Sequence, residues 1–284
     1  MIASIARNIE QSFDADYNRI TEAFSDFNVV RWIIIESNST DNSRETLKEF
    51  ATKYRIVETE SLESCNSSHR TEELAAARNR YLQIFNMLKN EIQIDYLVVC
   101  DLNNLNNKLN IKSVRSCWDL NSWAAVTANQ SGPYYDIFAL RHKYWNSTDC
   151  WESYNYLTNL YKQRTKFIWD RALWDSVYSK MINIKQSSNW IRVDSAFGGL
   201  AIYSTKFLQN CEYNGISESG GQTCEHVSFH NGIIANSGEI FVNPKLINFS
   251  LTDHSRRRKY FIIYNSWYYV RRVFIRKNKK VEKL

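Results

Sequence analysis

Apolar positions along this chain follow two rhythms, and the rhythms alternate. Residues 2–6 (IASIA) form a short apolar run that stops at Arg7-Asn8. Residues 10–24 then carry apolar side chains at helical spacing. Residues 29–35 (VVRWIII) are a nearly unbroken β-branched and aromatic run, which is how a strand buried on both faces reads. A polar turn cluster follows from Glu36 to Ser43, where Asp41 or Ser43 can cap a helix that runs to about Tyr54. Residues 55–59 predict a third strand. Residues 71–89 predict a helix with Leu74, Ala77, Tyr81, Ile84, Phe85 and Leu88 on one face. Residues 95–100 (DYLVVC) predict another buried strand ending at Asp101-Leu102-Asn103. Strands alternating with helices imply an α/β fold, a mostly parallel sheet with helices on both faces.

The second half is less regular. Residues 124–128 and 135–140 read as strands, and 144–182 as a polar, aromatic-rich helical insertion. Residues 196–203 (AFGGLAIY) return to strand character and 205–209 begin a helix. Residues 224–231 open a further helix, and 240–243 form a last strand. No repeat or linker is visible, so residues 1–255 read as one domain and 256–284 as an extension.

Charge sharpens that boundary. The 284 residues carry a net +6, yet eleven Lys/Arg and one acid lie from Arg256 onward. The body is therefore slightly acidic and the extension strongly basic, which argues against a globally basic nucleic-acid binder. The extension interleaves its cations with Phe261, Tyr264, Trp267 and Tyr268 at helical spacing. That suits an anionic membrane surface. Stacking on nucleic acid is the less favoured rival, and packing against the body the plain one. No apolar run approaches the roughly 18–20 residues of a spanning helix. No signal peptide is expected at the N-terminus. The six cysteines lack CxxC spacing. A cytoplasmic protein, peripheral on the inner face of a membrane, is the expectation.

In open parallel sheets, ligands sit beyond the carboxyl ends of the strands. Three polar clusters fall at such ends: Arg7-Asn8, Glu36 to Asp41, and Asp101 to Asn103. They predict one shared crevice. A carboxylate after the second strand can accept bonds from ribose hydroxyls or a base, and an Asp with a nearby oxygen donor can hold a hard divalent cation against phosphates.

At this point the motif order resembles a GT-A glycosyltransferase. The stretch WIIIESNSTDNS (32–43) resembles the strand and turn of family 2 glycosyltransferases, and IASIARNIE (2–10) their first strand. LAAARNRYL (74–82) resembles the helix before the metal strand, and YLVVCDLN (96–103) occupies the place of the DxD motif. FGGLAIY (197–203) and CEHVSFH (224–230) resemble the late Gly-Gly strand and the acidic acceptor-side motif. Fungal capsule-type mannosyltransferases share the arrangement. The resemblance implies a hexosyl transfer from a GDP- or UDP-sugar donor to a saccharide or lipid-linked glycan, assisted by Mn²⁺ or Mg²⁺. A non-catalytic nucleotide- or glycan-binding scaffold on the same fold is the alternative.

Carried over residue by residue, the resemblance assigns nucleotide-sugar contacts to Ala6, Arg7, Asn8, Glu36, Asn38, Arg78, Asp101, Gly198 and Gly199. Arg78 would clamp the diphosphate. Asp101 and Asn103 would hold the metal, with His254 as a late ligand and His226 and His230 as competitors. Asn103 stands where the motif has a second carboxylate, which weakens the site by one charge. Glu225 would be the general base that takes the acceptor hydroxyl proton in an inverting reaction. Asp136, His226 and His230 are candidates for contacts to the sugar or acceptor.

Overall fold

A computed structural model describes residues 1–62, 69–160, 165–218, 220–253, 255–259 and 261–263. The strands are β1 (Ile2–Ala6), β2 (Trp32–Ser37), β3 (Val57–Leu62), β4 (Tyr96–Cys100), β5 (Ala125–Gln130), β6 (Ile191–Val193), β7 (Leu200–Ser204) and β8 (Ile240–Phe249). The helices are α1 (Phe13–Ala23), α2 (Ser43–Lys53), α3 (Arg70–Leu88), α4 (Ile111–Arg115), α5 (Cys150–Leu160), α6 (Lys166–Ser176) and α7 (Glu225–Ala235). They build one sheet in the order β3-β2-β1-β4-β7-β5-β8-β6. β1 pairs in parallel with β2 and β4, β2 with β3, and β5 with β8. β7 is antiparallel to β4 and β5, and β6 closes the edge antiparallel to β8.

The period of two explains the unbroken apolar runs. In β2, Ile33 and Ile35 join a core with Tyr81 and Phe85 of α3 and Phe229 and Ile233 of α7. Trp32 and Ile34 point the other way, against Phe13 and Ile20 of α1 and Leu47 and Phe50 of α2. Both faces are covered, so neither needs polar residues. The α/β alternation and the helices on both faces are as the sequence predicts.

Several local expectations fail, each for a physical reason. Residues 135–140 are a turn, not a strand. Side chains satisfy its backbone: Asn146 Nδ2 donates to the Ile137 and Leu140 carbonyls, and Asp136 Oδ1 accepts from Ala139 N. β7 begins only at Leu200, because Gly198 and Gly199 sit at φ 70° and 87°. Residues 205–207 form one 3₁₀ turn rather than a helix start; Asn236 Nδ2 donates to the Phe207 and Gln209 carbonyls. The last strand runs to Phe249, past Pro244, at an irregularity in its register with β5. That is where a residue without an N–H is tolerated. β6 has three residues and carries too little periodicity to read.

The basic extension does not begin free of the body. Arg258 Nε donates to the Tyr178 carbonyl at 2.9 Å, its guanidinium lies over Trp174, and Phe261 stacks on Trp174. Residues 264–284, with most of the predicted membrane segment, lie outside the described residues. No described helix is long and apolar enough to cross a membrane.

Candidate active site

The carboxyl ends of β1, β2 and β4 stand side by side, and the loops after them form one crevice. Its first half is built by the turns after β1 and β2, which hold each other. Asn8 and Asn38 adopt φ 54° and 57°, a conformation that Asn tolerates better than most residues. Asn8 Oδ1 accepts from Thr40 N at 2.8 Å, and Asn8 N donates to Ser39 Oγ. Ile9 N donates to Ser43 Oγ, and Glu10 N to Asp41 Oδ2. Ala6 is buried in register beside Glu36, whereas Arg7 is exposed.

Glu36 is wholly buried and turned into this frame. One oxygen accepts from Ser39 N at 2.9 Å and the other from Arg44 Nε at 2.8 Å. Burial pushes its carboxyl up, but bonds from Ser39, Ser61 and Arg44 outweigh that and hold it below the usual range. Beside this half lies a cavity of about 280 Å³, lined by Ser37, Asn38, Leu62, Glu73, Ala76 and Arg80.

The second half is organised around Arg78, which α3 carries into the interior. Its Nε donates to Glu225 Oε1 at 2.8 Å and its Nη2 to Asp101 Oδ1 at 3.2 Å. Phe197 and Tyr213 rings flank the guanidinium at 5.2 and 5.7 Å. Nη1 is buried without a partner. Asp101 is the first residue after β4, and Glu225 the first of α7, where the helix N-terminus favours a carboxylate. Burial raises Asp101 above its ordinary value, Arg78 pulls it back, and Glu225 adds to the rise. The guanidinium is thus engaged with two carboxylates, not open as a phosphate clamp.

Asp136 closes the back of this half. Its Oδ2 accepts from Gly198 N at 2.9 Å. Burial pushes its carboxyl up to about 6, against the two backbone N–H bonds, and Asp101 and Glu225 push the same way. The chain itself uses the freedom of the glycine pair: a Cβ on Gly198 would meet the Ala128 carbonyl at 2.8 Å. Gly199 O accepts from Asp101 N, tying the turn to the crevice.

The two candidate histidines among the described residues differ. His226 stacks on Phe197 with ring centroids 3.9 Å apart, and its Nε2 lies 3.8 Å from Glu225 Oε1. Both its ring nitrogens are buried without a hydrogen bond. Burial and Arg78 keep it well below 6.5, so the ring is neutral. His230 is a core residue between Ser195 Oγ at 2.8 Å and Tyr203 OH at 3.0 Å, and burial lowers it to about 3.

Asn103 is exposed at φ 72° and is followed by Asn104 at φ 61°. Asp101 and Asn103 supply two oxygen donors at one turn, the chemistry of a hard divalent cation. His254 lies outside the described residues. Among the described residues no group of three metal-ligating side chains is assembled. The turn is held by groups that sequence reading missed. Asp16 of α1, fully buried, accepts from Asn104 N through both oxygens, at 3.2 and 3.0 Å. Asn106 Nδ2 donates to the Asp101 carbonyl, and Asn248 Nδ2 to Asn106 Oδ1. One signal was available: Asp16 falls on the same helical stripe as Phe13, Tyr17 and Ile20, where an acid needs a partner.

No family profile matches the sequence, and no curated protein does. Solved structures do resemble it in shape. TarS of S. aureus, residues 1–349, aligns over 89% of this chain and 57% of its own, at 12% identity and TM-score 0.42. The mannosyltransferase PcManGT from Pyrobaculum calidifontis, solved with GDP-Man and Mn²⁺, aligns over 87% and 55%, at 11% identity and TM-score 0.46. Glucosyl-3-phosphoglycerate synthase from Mycobacterium tuberculosis, solved with UDP, aligns over 88% and 68%, at 11% identity and TM-score 0.40. This chain spans little more than half the length of the first two.

Proposed function

We propose that the chain is a GT-A glycosyltransferase that moves a hexosyl group from a nucleoside-diphosphate sugar to a saccharide or lipid-linked acceptor. The observation that carries this reading is the Asp101–Arg78–Glu225 bridge. It brings an acid at the end of a central parallel strand and an acid at a helix N-terminus into the ligand-binding end of the sheet. In this reading the 280 Å³ cavity and the Asn8–Asn38 turns receive the nucleoside. Asp101 and Asn103 are the residues that would hold Mn²⁺ or Mg²⁺; when bound, the cation neutralises diphosphate charge. Glu225 takes the acceptor proton, and Arg78 is a positioning residue that holds its carboxyl in place through the Nε to Oε1 bond. Arg78 does this by contact, and its side chain is too enclosed to clamp a diphosphate directly.

Some of the solved structures of similar shape were determined with UDP, UDP-GlcNAc or GDP-Man, and these are the ligands to try first. A thermal-shift titration with UDP, GDP and their sugars, with and without Mn²⁺, tests donor binding by mass action. A metal-dependent rise in melting temperature is expected; no rise with either nucleotide rejects the reading. Glu225→Gln is expected to keep the shift and abolish transfer. Unchanged turnover would remove Glu225 from the chemistry.

One observation favours the scaffold alternative: Arg78 already neutralises the single carboxylate of the Asp101-Leu102-Asn103 turn. Asn103→Asp separates the two. Higher turnover and tighter Mn²⁺ dependence support an enzyme, and donor binding without turnover in both forms supports a scaffold. Membrane attachment through the basic extension, residues 256–284, is a separate part of the proposal. Removing those residues should abolish binding to anionic liposomes while leaving the nucleotide shift unchanged.

A further inference from the structure

On the far edge of the sheet lies a second cavity, of about 880 Å³. β8 is parallel to β5, and β7 is antiparallel to both β4 and β5, so β4, β5 and β8 run the same way. Residues 119–122 lead into β5, and Glu239 leads into β8. The cavity they line therefore lies toward the opposite end of the sheet from the crevice, against the edge formed by β6 and β8. None of the crevice residues contributes to it.

Its chemistry is specific in two ways. Trp190 stands half-buried, held edge-to-face against Phe241 at 6.1 Å and 72°. An aromatic face held in this way offers an apolar platform at low entropic cost. Around it, the Asn121, Gln186 and Asn189 amides have no hydrogen-bond partner among the described residues. Each amide offers both donors and an acceptor. The charges at the site are already matched. Lys245 Nζ lies 2.8 Å from Asp119 Oδ2, and Glu239 Oε1 lies 3.1 Å from Arg192 Nη1. Among the described residues that line the groove, no cation is left unpaired to draw a phosphate or a nucleic acid.

We propose that this groove binds a neutral oligosaccharide, with one pyranose ring against Trp190 and its hydroxyls on the Asn121, Gln186 and Asn189 amides. A volume of this size falls within the range of about 300–1,000 Å³ that holds small organic ligands. The site recognises paired hydroxyls and an apolar sugar face, which the charged donor of the crevice does not require. The assignment does not depend on transfer in the crevice.

Saturation-transfer NMR on the full chain tests it, with maltotriose, mannotriose, cellotriose and chitotriose as probes. Transfer to ring protons of at least one probe is expected, unaffected by saturating UDP or GDP with Mn²⁺ and preserved in Glu225→Gln. Trp190→Ala should weaken binding about tenfold. The double variant Gln186→Ala/Asn189→Ala, on an exposed segment, should weaken it comparably and decides the matter if Trp190→Ala does not fold. Absence of transfer from all four probes overturns the proposal. So does binding that nucleotide competes away, or binding unchanged in the double variant. Because donor binding is read separately by thermal shift, either site can fail without the other.

Discussion

The two halves of the crevice are built on opposite principles. Around Asn8 and Glu36 the polar groups find partners in the chain: backbone N–H groups and Arg44 hold the Glu36 carboxylate, and Asn8 bridges to Thr40. Around Arg78 the polar groups are crowded and incompletely paired. One guanidinium serves two carboxylates, Arg78 Nη1 and both His226 nitrogens have no partner, and Asp136 is driven up to about 6. A buried polar atom without a bond costs about 1–3 kcal/mol. The first half is a satisfied frame that stabilises the fold. The second half holds uncompensated polarity, and perturbed groups of this kind concentrate in functional sites.

This contrast breaks hardest at Arg78. Arg78→Ala leaves Glu225 and Asp101 buried together without a counterion, and should cost about 3–5 kcal/mol in chemical denaturation, with loss of nucleotide-dependent activity. An equally large loss from a residue of the frame would show that the halves do not differ.

Glu36→Gln tests the frame. It removes the charge that accepts from Arg44 and Ser39, and should cost about 1–3 kcal/mol. The wild-type contribution has a defined pH dependence. The native carboxyl sits below its ordinary 4.5, so the contribution is complete above that pH and is lost as pH falls through the native value. The wild-type and Glu36→Gln stabilities should therefore converge in acid.

Asp136 sharpens the comparison from the other side, with the smallest effect. Its native carboxyl titrates at about 6 instead of 3.8, so the folded state holds the proton longer than the unfolded one. Its contribution to stability therefore falls as pH rises between those values, the reverse of Glu36. Carboxyl NMR should find one Asp resonance titrating near 6 that is absent in Asp136→Asn. An ordinary titration would mean that the second half is as well solvated as the surface.

Much of the fold was legible because burial on two faces writes itself plainly. The run around Trp32–Ser37 and the stripe on α3 are patterns that only a covered sheet and a packed helix require. The strand ends also announced where polar clusters would meet. Less legible were the turns at 135–140 and 196–199, where Asp136 and the two glycines replace strand hydrogen bonds by side-chain ones. The bond that joins the two turns, Gly198 N to Asp136 Oδ2, links residues 62 positions apart, and no local pattern encodes it. The far groove was likewise invisible, since Asp119 and Lys245 meet across 126 positions.

The sequence by itself determined the α/β alternation, the shared crevice at the strand ends, the acidic body and the basic extension, because these follow from local periodicity and composition. Only the tertiary structure decided what each polar residue does. Glu36, a ligand contact by position, is enclosed in its own turn, and His230 is bound within the core. Arg78 faces two carboxylates, and Asp16 supports a turn on another element. Which partner a buried charge finds is set by which strands become neighbours, and that depends on long-range pairing rather than on spacing along the chain.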